Sequence, residues 1–203
     1  MRRKLYARMS LKVSLTVIAC VGFVLALAAA LYLAKPAICA RRTLAKMETI
    51  RIGGTTFVEA EQIAGQIEAK PTGVCSPAEC EWVYGISNLP VPDWWRGQGE
   101  VFRVYIHVKG GLVDWTQLQY WIGFGSIVSG VTVSEKVDWP SNRKDTRSIK
   151  AEGWRGPNSF ISVRMTPSDS AEIRKQYTSF NWNCFWQYQG CNNAHELMPA
   201  GDW

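Results

Sequence analysis

Residues Val13 to Ala34 form a run of 22 positions without a charge, and the segment ahead of them carries Arg2, Arg3, Lys4, Arg8 and Lys12 with no acid. A helix rises about 1.5 Å per residue, so a run of this length covers the ~30 Å hydrocarbon layer of a bilayer. Cations ahead of such a run are held on the cytoplasmic side. The pattern predicts a basic cytoplasmic N-terminus at 1–12, a transmembrane signal anchor at 13–34, a basic stalk at 35–50 and an extracytoplasmic domain at 51–203. The chain is thereby expected in the plasma (inner) membrane, crossing it once, with lipid as its partner through residues 13–34.

A cleaved secretory signal has an apolar core of about 7–15 residues and small residues before the cut. Here the run is longer, and Tyr32, Lys35 and Pro36 follow where a small-residue site would lie. Val17-Ile18-Ala19-Cys20 resembles a lipobox, in which Cys20 would be lipidated, yet the chain stays apolar for 14 residues beyond it. Lys35, Arg41, Arg42 and Lys46 precede the first acid, Glu48, so the charge bias across the run is five against four. Pro36 disfavours helix at Lys35, which predicts a stop or kink there.

The formal net charge of +6 would suit nucleic acid, but its distribution argues otherwise. From residue 52 onward there are 13 Lys and Arg against 16 Asp and Glu, so the excess belongs to the membrane flanks. Binding to phosphate backbones needs a clustered basic face on the folded part. No nucleic-acid partner is expected.

About 150 residues then remain, enough for one domain with a real core. Thr56-Phe57-Val58-Glu59 has the form of a capping box and predicts a helix over 57–68, with Val58, Ala60, Ile63, Ala64 and Ile67 as its apolar stripe. Ile50-Arg51-Ile52-Gly53-Gly54-Thr55-Thr56 with this helix resembles the opening of small bacterial envelope lipoproteins of the SmpA/OmlA type. The likeness spans fewer than about 20 residues, lacks the Gly-x-Pro that follows the helix in that family, and carries no function across.

From about residue 80 the period changes to two. Phe102, Val104, Ile106 and Val108 alternate with Arg103, Tyr105, His107 and Lys109, and Gly110-Gly111 supplies a tight hairpin turn before Leu112–Ile122. Further strands are predicted at Glu81–Ser87, Ile127–Glu135 and Ser159–Met165. Thr166 as N-cap, Pro167 at the first helical position and Asp169 in the first turn predict a helix reaching Tyr177. The expected fold class is α+β, a mainly antiparallel meander of about five strands covered by two or three short helices.

Of six cysteines, Cys20 lies in the apolar run and Cys39 in the stalk. Cys75 with Cys80 and Cys184 with Cys191 form two close pairs. In an oxidising compartment local disulfides are the economical reading, although four cysteines allow three connectivities. A zinc site from Cys184, Cys191, His195 and one of the earlier cysteines fits less well, because structural zinc favours tighter C-x2-4-C spacing. No metal and no cofactor is expected.

Nothing in the sequence indicates an enzyme. The two histidines are His107 and His195, and no nucleophile elbow, zinc-protease motif, P-loop or dinucleotide fingerprint is present. His107 on the polar side of a strand reads as a solvated surface histidine. Glu100, Asp114, Glu135 and Asp138 lie near strand ends, and a secreted-side hydrolase acting on envelope glycan or peptide would need two of them about 5–9 Å apart.

Tryptophan is abundant, with 10 residues and none in the apolar run. Trp82, Trp115, Trp121, Trp182 and Trp186 are expected to fill the core or cover the sheet. Trp94, Trp95 and Arg96, and Trp139, Arg143, Lys144, Trp154 and Arg155, stand in predicted loops. Aromatic rings beside cations suit an envelope protein or glycan, or the lipid head-group layer. The sequence thus points to a tethered domain with a binding or structural role in the cell envelope.

Overall fold

The computed structural model describes residues 2–87, 99–124, 127–137, 150–153, 159–186, 191 and 193–199. The chain divides into two compact units, 1–35 and 36–203. Helix α1 is assigned over Arg2–Met47, and Pro36 lies inside it rather than ending it. In the first unit Val17, Ile18, Val21, Phe23, Val24, Leu25 and Leu31 are all exposed. This helix is long and apolar enough to cross a membrane.

The second unit departs from the sequence reading at its first residues. The expected stalk is helical to Met47, and Ala37, Ala40, Leu44 and Met47 join the core with Ile50 and Ile52. Their three- and four-residue spacing is a helical stripe, while Arg41, Arg42 and Lys46 stay exposed. The cations that suggested a linker occupy the other side of the same helix.

Seven strands follow: β1 (Lys70–Pro71), β2 (Glu79–Ser87), β3 (Gly99–Lys109), β4 (Leu112–Phe124), β5 (Ile127–Lys136), β6 (Lys150–Gly153) and β7 (Phe160–Met165). They form one sheet in the order β1-β2-β3-β4-β5-β7-β6. All neighbours are antiparallel except β5 and β7, which run parallel. The purely sequential meander therefore fails after β5. The chain reverses once into the edge strand β6 and again into β7, and two reversals return β7 to the direction of β5. Gly110 and Gly111 at φ +60° and +84° make the β3–β4 turn, a backbone region that side chains disfavour.

One face of the sheet is the core. Phe102, Val104, Ile106 and Val108 of β3 are fully buried, as are Tyr120 of β4, Val131 of β5 and Val163 of β7, and Val133, Ile161 and Met165 are nearly so. Helix α2 (Phe57–Gln66) covers part of this face with Ala60 and Ala64. Its cap forms as the sequence requires: Thr56 Oγ1 accepts from the Glu59 amide, and the Glu59 carboxylate accepts the Thr56 amide at 2.8 Å. Residues 53–57 are tied to the β3–β4 hairpin by Gly53 N–H to Val113 O (2.7 Å) and Phe57 N–H to Gly111 O (2.8 Å). The Phe57 ring then sits 5.5 Å from Trp82.

The C-terminal segment covers the rest. Helix α3 spans Ala171–Tyr177 and is capped by Ser170, not by Thr166. Asp169 Oδ2 accepts the Thr166 amide at 2.6 Å and Asp169 N–H returns to Thr166 O, so Thr166–Asp169 close a turn before the helix begins. A 3-10 turn at Trp182–Trp186 and helix α4 (Ala194–Leu197) follow. Trp182, Phe180, Phe102 and Tyr120 pack with centroids 5.3–6.3 Å apart. Buried Ser159 Oγ accepts the Ala194 amide at 2.7 Å and lies 3.2 Å from Ser129 Oγ, which pins α4 to the sheet. The cysteines pair locally, Cys75 with Cys80 and Cys184 with Cys191, at Cα separations of 4.5 and 5.2 Å.

Candidate functional site

Two places in the domain concentrate polar chemistry, one on each face of the sheet. On the outer face, a bulge between His107 and Val108 sets both Asp114 and Trp115 opposite His107. Asp114 follows the buried Val113 onto the outer side, and the bulge breaks the alternation by placing Trp115 on that side as well. Its Oδ1 bonds His107 Nδ1, while Glu79 Oε1 lies 3.8 Å from Nε2 and the imidazole stacks on the Trp115 indole at 5.4 Å. His107 is only 15% exposed, so it is not the solvated histidine that the sequence suggested. The two carboxylates approach opposite nitrogens and do not converge. Among the described residues no group of three or more His, Cys, Asp or Glu is placed to hold a metal ion.

Beside this cluster a hydrogen-bonded row crosses the strands. Tyr105 OH donates to Gln119 Oε1 (3.4 Å), Gln119 Nε2 to Gln117 Oε1 (3.0 Å), and Gln117 Nε2 to Ser134 Oγ (3.0 Å). Trp121 continues the outer face next to Gly130, where an added Cβ would meet the indole at 3.1 Å. The outer surface is thus half-buried aromatic and amide side chains held in fixed positions, a chemistry suited to polar polymers.

The buried face holds the second place, a cavity of about 310 Å³. Leu44, Met47 and Ile50 wall one side, Leu118, Val133 and Met165 of the sheet form its floor, and Ala171, Arg174 and Thr178 of the α3 region close the other. Glu135 reaches it because the period of β5 puts Val131, Val133 and Glu135 on one face, in register with Thr116 and Met165. A carboxylate stands where the strand calls for another aliphatic. Glu135 is 9% exposed, and Arg174 Nη1 lies 2.8 Å from its Oε1 in a charge contact without a well-directed hydrogen bond. Burial pushes the Glu135 carboxyl above the usual range; Arg174 offsets that in part, and nearby Asp169 adds to the rise.

Arg174 is largely occupied elsewhere. Its Nε donates to Asp169 O (3.2 Å), and its Nη2 to Thr166 O (3.2 Å) and Pro167 O (2.9 Å), stapling the turn before α3. Asp169 is itself buried, with Oδ2 bonded to Thr166 and Oδ1 unbonded. A second buried carboxylate thus lies near Glu135.

Trp94, Trp95, Arg96, Trp139, Arg143, Lys144, Trp154 and Arg155, the contact residues expected from the sequence, lie outside the described residues, as do Asp138 and the Glu100 side chain. The structure brings together a different set. Glu135 was visible as an acid at an inward position, but its arginine comes from a helix 39 positions later, and no local pattern announces that pairing. Comparison with known protein families, characterised proteins and solved structures finds no match.

Proposed function

We propose that the chain is a single-pass membrane protein whose disulfide-bonded α+β domain stands outside the cytoplasm and serves as a tethered binding component of the cell envelope. The observation that carries this reading is the first unit: its apolar side chains are exposed, Phe23 by 70% and Ile18 by 67%, and hydrocarbon is the solvent that removes that cost. The five cations ahead of it favour the N-in orientation. Two local cystine pairs fit an oxidising compartment. The fixed aromatic and amide row around Tyr105, Trp115 and Gln119 supports contact with an envelope protein or glycan.

The test is labelling in sealed spheroplasts with a membrane-impermeant maleimide, using Glu61→Cys in a chain whose Cys20 and Cys39 are replaced by Ser. Labelling without lysis is the expected result, and labelling only after lysis sinks the proposal. A hydrolase on the same side draws support from one feature, the His107–Asp114 pair. An acyl-transfer site would add a hydroxyl or thiol bonded to His107, and among the described residues none is bonded to it.

A further inference from the structure

We infer that the outer face carries a subsite for a carboxylate-bearing sugar unit of a polysaccharide, in a trough between Arg103 and Trp121. The trough has a volume of about 240 Å³ and is lined by Val101, Arg103, Gln119 and Trp121. These are two cross-strand pairs of β3 and β4, Val101 with Trp121 and Arg103 with Gln119. Each wall residue faces a glycine on the next strand: Gly85 of β2 lies opposite Arg103, and Gly130 of β5 opposite Trp121. The Arg103 stem lies across Gly85, where an added Cβ would meet its Cγ at 3.5 Å and its Nε at 3.9 Å, and the Trp121 indole lies on Gly130, where a Cβ would meet the ring at 3.1 Å. The two long side chains therefore lean away from each other, and the space between them opens above the shorter Val101 and Gln119.

The trough is smaller than the ~300–1,000 Å³ sites that enclose a whole small molecule, so it fits one unit of a longer chain. The indole, backed by Gly130, supplies an apolar wall for the C–H side of a sugar ring. Gln119 supplies polarity at the floor: its Oε1 accepts from Tyr105, and its Nε2 gives one hydrogen to Gln117 and keeps the second for a ligand hydroxyl. Arg103 sets the charge. It is exposed, and among the described residues it has neither an ion pair nor a hydrogen bond. Its neighbours in the register, Gly85, Val101, Tyr105, Gln117, Gln119 and Trp121, include no acid. A planar guanidinium in that setting matches a carboxylate. A neutral sugar leaves it unused, and an acidic peptide engages it without filling the space beside the indole.

The subsite rests on the outer face being the contact surface proposed above, and its binding is measured on purified protein, so its failure leaves the maleimide result on topology untouched. The full chain in phosphatidylcholine nanodiscs is titrated at neutral pH and ~0.15 M salt, where long-range charge attraction is screened, with hexagalacturonate, hexamannuronate, neutral cellohexaose and hexaglutamate. Binding is read by calorimetry and saturation-transfer difference NMR against empty nanodiscs. At least one hexauronate should bind about tenfold more tightly than cellohexaose and than hexaglutamate, the size of one charge-assisted contact. Arg103→Gln should bring that hexauronate down to the affinity of cellohexaose. Gly85→Val gives the strand a better strand former at an exposed position and should fold at least as stably as the parent, yet its methyl groups push the Arg103 stem over the trough and should weaken the hexauronate about tenfold. Loss of binding with stability kept is a result that a merely structural role for Arg103 would not produce. Binding of neither hexauronate, equal binding of hexauronate and cellohexaose, binding of hexaglutamate as tight as that of the hexauronate, or hexauronate affinity unchanged by Arg103→Gln or by Gly85→Val would each overturn the inference.

Discussion

The two faces of the sheet place charge on the same backbone under opposite conditions. On the outer face, His107 and Asp114 are brought together by a bulge, bond each other, and keep part of their surface in water. On the inner face, Glu135 sits in an aliphatic row with an arginine committed mainly to carbonyls. Outside, each group has the other as its partner and keeps some access to water, so little polar character is left unmet. Inside, the same kind of group carries a desolvation cost that an ion pair repays only with good geometry.

The sharpest break between the faces comes from truncation. Phe102→Ala on the inner side should cost about 3–5 kcal/mol in denaturant unfolding, because a fully buried ring leaves a cavity under the Phe180 and Trp182 rings. Loss of the buried Cys184–Cys191 link as a double alanine variant should cost about 2–3 kcal/mol, seen as a lower denaturation midpoint in non-reducing buffer. Gly130→Ala drives a Cβ against the Trp121 indole and the Tyr120 carbonyl, both at 3.1 Å, and should cost about 1–3 kcal/mol. His107→Ala on the outer face should cost no more than about 1 kcal/mol; a loss as large as that of Phe102→Ala would erase the contrast between the faces.

The subtlest difference is in pH dependence. The folded-state pKa of Glu135 is raised, so its protonated form adds stability that is complete below the unfolded carboxyl value of about 4.3 and is lost as pH rises through the folded value. Glu135→Gln should remove this dependence, gaining stability relative to the parent as pH rises through and above the ordinary carboxylate range. A difference between the two proteins that stays constant from mild acid to neutral pH would show that the carboxylate is not strained by burial. Glu59 provides the opposite sign. Its hydrogen bonds to the Thr56 amide and hydroxyl lower its pKa, so the stability it lends to the cap is present above the unfolded value and lost on acidification.

What the sequence determined was local. The alternation of β3, the double glycine after it, the capping box at Thr56 and the close spacing of the cysteines each depend on interactions within a few residues, and each is present. The turn at Thr166 misled for a local reason too, because an aspartate three residues on closes a turn as readily as a first helical turn. Tertiary structure decided the rest. The helical stripe Ala37–Ala40–Leu44–Met47 becomes core only because a sheet lies against it, and cations on the reverse side made it read as a linker. The parallel pairing of β5 with β7 depends on where an intervening edge strand docks. Asp114 reaches His107 through a bulge, and Glu135 meets Arg174 across a crossover, so both pairings are set by backbone geometry over distances that no periodicity in the chain records.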